Sequence, residues 1–383
     1  RRIYLSDDEV DTDSFDACRP YTDPTLRVHA AMVQFVVDLL QFGLIVPRLA
    51  RRGIVGVFCV AKKHGRLRLV FDCRAANLLC RDPNHSHLAT PGAICGLRVD
   101  RGHADSARPY AGRIGSIDLV DSFYLFEFGA VSELFSLDDV FSARELGVDY
   151  AYDSGGQRVS VDPDQRLYAC VATVPMGWSW SLYFCHWVCT RCFLDVGRTL
   201  LPNSDDPASL LVLDGRAAPA LAPGRPALAP YVDNFNVMAW DQQDLTLVLD
   251  GIELWLQDRG LAYRVECHGA TSSDAVGLIV DMEQLLVRNK FSRTWKVRSA
   301  IYDLLRQPRC SGYVMQVVLG HLVSLGLVFR PFLSVFSASF SFVTANDGRV
   351  GDLDAFVRSE LAVAASLVTF LECSIGVSDH PLC

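Results

Sequence analysis

At 383 residues, half of them hydrophobic and 21% charged, the chain has the apolar content to bury cores and is excluded from the disordered class. Thirteen cysteines, an odd number in a chain this long, fit reduced thiols in an intracellular setting, nuclear or cytoplasmic, better than a secreted disulfide framework. The net charge of −8 argues against a nucleic-acid binder until its distribution is considered.

Residues 1–18 carry Asp7, Asp8, Glu9, Asp11 and Asp13 and read as a disordered acidic lead-in. Thr22 or Asp23 before Pro24 caps a helix through Ala30–Leu40. Gly53–Val60 and Arg66–Phe71 form a hairpin around His64-Gly65. Ile114–Leu119 and Tyr124–Phe128 read as one buried strand, with a helical turn or bulge near the acids. Leu167–Val174 is a strand and Ser179–Leu194 a helix. Residues 202–230, rich in Ala, Pro and Gly, read as a flexible loop. Tyr231–Trp240 is a hairpin, and Leu245–Arg259 is a helix stopped by Gly260. Two short strands follow, Ala262–Glu266 and Ala275–Val280, and the chain is helical from about Lys296. The apolar run Val314–Phe329 contains His321 and ends at Arg330-Pro331, a poor membrane span; no membrane partner is expected.

Charge gathers in two patches. From Arg48 to Asn77 eight basic residues face the single acid Asp72; from Gln284 to Cys310 seven face Asp303. Two cationic patches on an acidic body draw a polyanion to one face. Between them lie two acids on strand-like stretches: Asp118 in Ile117-Asp118-Leu119-Val120-Asp121-Ser122-Phe123-Tyr124, and Asp233 in Tyr231-Val232-Asp233-Asn234. An isolated Asp in an apolar stretch is costly unless paired or metal-bound. Side by side, Asp118 and Asp233 share divalent cations, the standard device for moving a phosphoryl group between oxygens. Mg²⁺ or Mn²⁺ is the expected cofactor, since such ions take one or two carboxylates plus waters and substrate phosphates.

The segment Lys62-Lys63-His64-Gly65-Arg66-Leu67-Arg68-Leu69-Val70-Phe71-Asp72-Cys73-Arg74-Ala75-Ala76-Asn77 resembles the fingers motif of reverse transcriptases. Five more segments follow in that family's order. Asp118 to Tyr124 is similar to the first palm motif, and Val174-Pro175-Met176-Gly177-Trp178 to the Pro-x-Gly segment. Tyr231-Val232-Asp233-Asn234 resembles the Tyr-x-Asp-Asp turn, Val276-Gly277-Leu278-Ile279-Val280 the primer-grip hairpin, and Leu319-Gly320-His321-Leu322 the start of a thumb or connection helix. The chain is thereby identified as similar to retrotransposon-type enzymes over about 260 residues.

The resemblance implies an α+β polymerase right hand with an antiparallel palm sheet, fingers and a mainly helical thumb. Its parts are an N-terminal helix and fingers over 19–110, a palm over 111–282 with a fingers insertion at about 131–166, and a thumb or connection over 283–383. It implies template-directed addition of deoxynucleoside triphosphates to a primer 3′ end on an RNA or DNA template. Asp118 and Asp233 are then the catalytic metal ligands. Lys62, Lys63 and Arg68 hold the β- and γ-phosphates; Asp121 and Met176 flank the incoming nucleotide; Gly177 lets backbone approach the nascent base pair. Phe123 blocks a ribose 2′-hydroxyl, which favours deoxynucleotides over the rival reading of an RNA-templated RNA polymerase, and Tyr124 points away into the palm. Trp178 and Trp180 stack on template bases or pack in the core. Arg293, Trp295, Lys296 and Arg298 suit a primer–template backbone. Asp72 and Arg74 brace the fingers hairpin as an ion pair.

Asn234 departs from the family, which has a second Asp there. It keeps a coordinating oxygen and loses one negative charge, which leaves a catalytically dead nucleic-acid-binding remnant as the alternative. The thiols of Cys185, Cys189 and Cys192 on one helical face offer three ligands where structural zinc takes four, and are read as small core hydrophobes.

Overall fold

The structure, a computed structural model, describes residues 3–62, 65–103, 108–201 and 205–378. The chain divides into two compact units, one of residues up to Ser86 with Val120–Val188, the other of His87–Leu119 with residues from Cys189 on. Helices and several sheets alternate throughout, so the class is α+β.

The first unit is built on a seven-stranded sheet. Ile54–Ala61 and Leu67–Asp72 pair antiparallel with Val60 opposite Arg68, the hairpin expected from the basic segment. Arg166–Val171 pairs antiparallel with Ile45–Arg48 and with Ser136–Ser142. Val36, Val57, Phe135 and Leu167 are among its fully buried side chains. The helix His29–Gln41 packs Met32, Val36 and Leu39 inward at the helical spacing of three to four. Residues 3–18 are not the disordered lead-in expected. Ser6 and Glu9 cap a turn of 3-10 helix, Thr12–Ala17 is helical, and Arg81 pairs with Glu9 while Tyr4 bridges Cys80. Of the acids that suggested a solvated tail, Glu9 and Asp11 serve helix caps and Glu9 also an ion pair, which composition alone does not reveal.

The second unit holds a four-stranded antiparallel sheet in the spatial order Ala227–Tyr231, Asn234–Ala239, Arg113–Leu119, Tyr263–Ala270. The helix Gln242–Gln257, capped by Asp241 and closed past its end by Gly260 in the left-handed region, covers one face. Its Leu245 and Leu249 come so close to Gly115 that a Cβ there would meet each at 2.9 Å. The residues 202–230, expected to be a flexible loop, are largely packed within their described part. Leu210, Val212, Leu221 and Ala227–Ala229 are buried, and Ala227–Tyr231 is itself a sheet strand. Small side chains that carry no clear period are the ones that fit a tightly turned, buried connection. Further on, Ser272–Ala275, Leu278–Asp281 and Leu286–Asn289 form a meander joined by Glu372–Ser374, and the helices Phe291–Leu305, Gly312–Gly326 and Ala355–Leu367 share an apolar core around Ile301, Leu322 and Leu361. Among the described residues no helix is long and apolar enough to cross a membrane.

Candidate active site

Asp118 is the sixth residue of the strand Arg113–Leu119. Its Cα stands opposite Asn234 on one neighbouring strand and Arg264 on the other. Asp233 lies in the two-residue turn between the paired residues Tyr231 and Asn234. The Asp233 carbonyl accepts the Leu119 N–H at 3.1 Å, tying the turn to the residue beside Asp118. Val232, the other turn residue, has φ 58, a left-handed conformation that is an outlier for a β-branched residue. The paired strands on either side hold it there.

Burial pushes the Asp118 carboxyl up to about 6; Asp233 and Glu266 add like-charge repulsion, and Arg264 opposes them. Its side chain is 25% exposed and lies 3.6 Å from the Arg264 guanidinium, which contacts Glu266 at 2.6 Å. Asn234 Nδ2 donates to Asp233 Oδ1 at 3.3 Å. Cys189 donates its thiol to the Asn234 carbonyl, and Cys185, Cys189 and Cys192 are all fully buried along the helix Ser181–Leu200.

The donors of this cluster are hard oxygens, suited to Mg²⁺ or Mn²⁺. Burial is the main cause of that lift, and the repulsion that adds to it is what a divalent cation relieves. Among the described residues no three His, Cys, Asp or Glu side chains converge as a metal cage; Mg²⁺ needs none, because waters and substrate phosphates complete its shell.

The phosphate-binding candidates gather in the first unit. Lys62 and Arg68 are exposed on the basic hairpin, and Lys62 Nζ lies 4.0 Å from Asp121 Oδ1. Lys63 lies outside the described residues. Asp121, at φ 49, starts a turn of 3-10 helix over Ser122–Leu125. Phe123 is half-buried against the unit's core. Tyr124 does not point into a palm sheet as expected: its hydroxyl donates to the Leu69 carbonyl of the hairpin at 2.8 Å. The alternation expected of a strand gives way to a 3-10 turn, which rotates the ring toward the hairpin. Burial pushes that hydroxyl up to about 12; Asp121 adds to the shift and Arg68 opposes it, so these side chains share one electrostatic neighbourhood. Asp72 and Arg74 form the expected ion pair at 2.6 Å, with Asp72 also accepting the Tyr21 N–H.

Met176 is half-buried and Gly177 exposed. Gly177 has φ +118, and a Cβ on it would meet the Phe71 carbonyl oxygen at 2.4 Å, so this chain's own backbone already demands glycine. Asn77 clamps the segment with both ends of its amide: Nδ2 donates to the Gly177 carbonyl at 3.1 Å and Oδ1 accepts the Ser179 N–H at 3.0 Å. Trp178 is a core residue that donates to Cys80 Sγ, and Trp180, half-buried against the same core, donates to the Arg81 carbonyl.

On the helix Phe291–Leu305, Trp295 is 43% exposed, and the Arg298 guanidinium lies 4.8 Å from its ring centroid and 5.5 Å from that of Tyr302. Residues one apart lie about 100° around a helix, so Lys296 occupies a different face from this stack. Arg293 donates to Ser324.

The fold is similar to that of solved structures, among them these three. The foamy viral protease-reverse transcriptase dRH in complex with double-stranded DNA matches 92% of this chain and 50% of its own at a TM-score of 0.61 and 13% identity. The foamy viral protease-reverse transcriptase matches with double-stranded DNA at 0.55 and with an RNA/DNA hybrid at 0.51, both at 13% identity and 92% of this chain, over 60% and 38% of theirs. The fold is reverse-transcriptase-like. The chain spans about half the length of the structures it matches. No family model and no curated protein matches the sequence. Within this reverse-transcriptase-like fold, the residues that sequence reasoning passed over are Arg264, Glu266 and Asn77. The alternation of exposed Arg264 and Glu266 with half-buried Tyr263 and Val265 was the available signal for the first two.

Proposed function

We propose that the chain is the polymerase core of an RNA-directed DNA polymerase of retroelement type, adding deoxynucleotides to a primer 3′ end. The observation that supports this most is the setting of Asp118 directly across from Asn234 and beside the turn that carries Asp233 in a reverse-transcriptase-like fold, with a carboxyl that burial and neighbouring acids lift to about 6. In this reading the four-stranded sheet is the palm, the basic hairpin belongs to the fingers and the three-helix core to the thumb.

Asp118 and Asp233 hold divalent cations, Mg²⁺ or Mn²⁺, which when bound supply charge stabilisation at the reacting phosphate and acidify the primer hydroxyl. The remaining work is positioning and charge. Lys62 and Arg68, with Lys63, take the β- and γ-phosphates, Arg as a planar fork and Lys as a point charge. Asp121 keeps Lys62 oriented until the triphosphate replaces it. Phe123 occupies the place a ribose 2′-hydroxyl would need. Met176 and Gly177 border the incoming nucleotide, with Asn77 fixing that segment's backbone. Trp295 and Arg298 contact the primer–template backbone without reading its sequence, and Lys296 adds its charge from another face of the same helix.

A second reading is a nucleic-acid-binding remnant without catalysis, favoured by the neutral Asn234 in place of an acid. Primer extension on RNA and DNA templates, with deoxy- and ribonucleotides and with each metal, separates the two. Metal-dependent deoxynucleotide incorporation supports the polymerase; salt-sensitive duplex binding with no incorporation under any metal supports the remnant.

A further inference from the structure

Arg264 has no assigned part in the chemistry above, yet the sheet register sets it directly across from Asp118. Its guanidinium is shared between two acids, 3.6 Å from Asp118 Oδ2 and 2.6 Å from Glu266 Oε1. The side chain is 66% exposed, and these two acids are its ion-pair partners among the described residues. Arg264 shares Asp118's side of the sheet as its cross-strand partner, and Glu266, at the register shift that follows, reaches the same guanidinium.

A positive charge at that place has a definite consequence for a divalent cation seeking the same carboxylate. A guanidinium a few ångströms from Asp118 repels a second cation there through the Coulomb term, diminished by solvent because the group is exposed. Glu266 pulls in the opposite direction, keeping the guanidinium nearer itself than Asp118 by a full ångström. Arg264 cannot lose its charge in the physiological range, so its effect is set by where it sits rather than by pH.

We infer that Arg264 is a resident counter-ion of Asp118 that competes with the divalent cation, and that Glu266 sets the strength of this competition by drawing Arg264 aside. In the absence of the cation Arg264 moderates the repulsion around Asp118; when the cation binds, Arg264 keeps its partner in Glu266 and vacates Asp118. It is a positioning residue that tunes cation affinity, and this role rests on the reading of Asp118 and Asp233 as cation ligands.

The test is titration of Mn²⁺ into the full chain without nucleic acid, followed by electron paramagnetic resonance of the free ion at low ionic strength. Asp118→Asn and Asp233→Asn serve as the reference for the site. Arg264→Ala is expected to tighten Mn²⁺ binding about tenfold, Arg264→Lys to stay within about threefold of the parent, and Glu266→Gln to weaken binding severalfold. The difference between parent and Arg264→Ala shrinks in about 1 M salt, where exposed charges are screened. Arg264→Gln, with thermal melting of each variant, guards against misreading a folding defect. Unchanged or weaker Mn²⁺ binding in folded Arg264→Ala and Arg264→Gln overturns the counter-ion role. Undiminished binding in Asp118→Asn and Asp233→Asn overturns instead the assignment of the site on which it rests.

Discussion

Asn234 stands directly opposite Asp118 across two antiparallel strands, and its carboxamide nitrogen donates to Asp233 Oδ1 at 3.3 Å. A neutral side chain at this place both fixes Asp233 and spares the cluster a third negative charge. Exchanging it for an acid removes the donor and adds repulsion to Asp118 and Asp233. Asn234→Asp is therefore expected to lower metal-free stability by about 1 kcal/mol and to strengthen divalent-cation binding. Extension activity is retained or increased. Melting in EDTA and primer extension across Mg²⁺ concentrations measure both; collapse of extension in a folded variant would mean the site is built around Asn234.

Asp118 gives the cation-free protein a pH signature. Its carboxyl is lifted from 3.8 to about 6 in the folded chain, so between those values the native state binds more protons than the unfolded state. Stability from this group is fully present below about pH 4 and is lost as pH rises through about 6, a difference on the order of 3 kcal/mol. Asp118→Asn should melt several degrees higher than the parent at pH 7.5 in EDTA and show no such advantage near pH 4. Added Mg²⁺ should narrow the gap at pH 7.5 by stabilising only the parent.

Gly177 and Asn77 form a local lock whose failure is structural before it is catalytic. Ala at 177 meets the Phe71 carbonyl at 2.4 Å and is forced to φ +118, so Gly177→Ala is expected to destabilise by about 3 kcal/mol or more. Asn77→Ala removes two hydrogen bonds and leaves the Ser179 N–H without its acceptor, at a cost of about 2 kcal/mol. Chemical denaturation measures each directly.

Val232 puts strain where Asp233 is presented. Glycine tolerates φ 58 without penalty, so Val232→Gly relieves about 1–2 kcal/mol of backbone strain and gives back about half through the freer unfolded chain. Equilibrium stability should change by less than about 1 kcal/mol, while the extension rate falls severalfold because Asp233 is held less firmly. An unchanged rate would show that turn rigidity does not matter to the chemistry.

Much of this arrangement was legible in the residues. The basic hairpin shows its alternation and turn, and the turn residues Val232 and Asp233 lead into the apolar run Phe235–Trp240. What was hidden depends on long-range partners. The segment 202–230 looks featureless because Leu221 and Ala227–Ala229 acquire their role only from the strands they reach. Glu9 looked solvated because its partner Arg81 is distant in the sequence. Tyr124 was aimed wrongly because a 3-10 turn, rather than strand alternation, decides its direction. Arg264 went unnoticed because its strand was visible while the register that sets it against Asp118 was not.

The most direct measurement is single-turnover primer extension by Asp118→Asn and Asp233→Asn beside the parent, with primer–template affinity measured on the same samples. Extension that falls by at least about a thousandfold in both variants, with duplex binding changed by less than about threefold, is the expected result. Extension persisting in either variant, or absent from the parent with both Mg²⁺ and Mn²⁺, would contradict a two-carboxylate polymerase site.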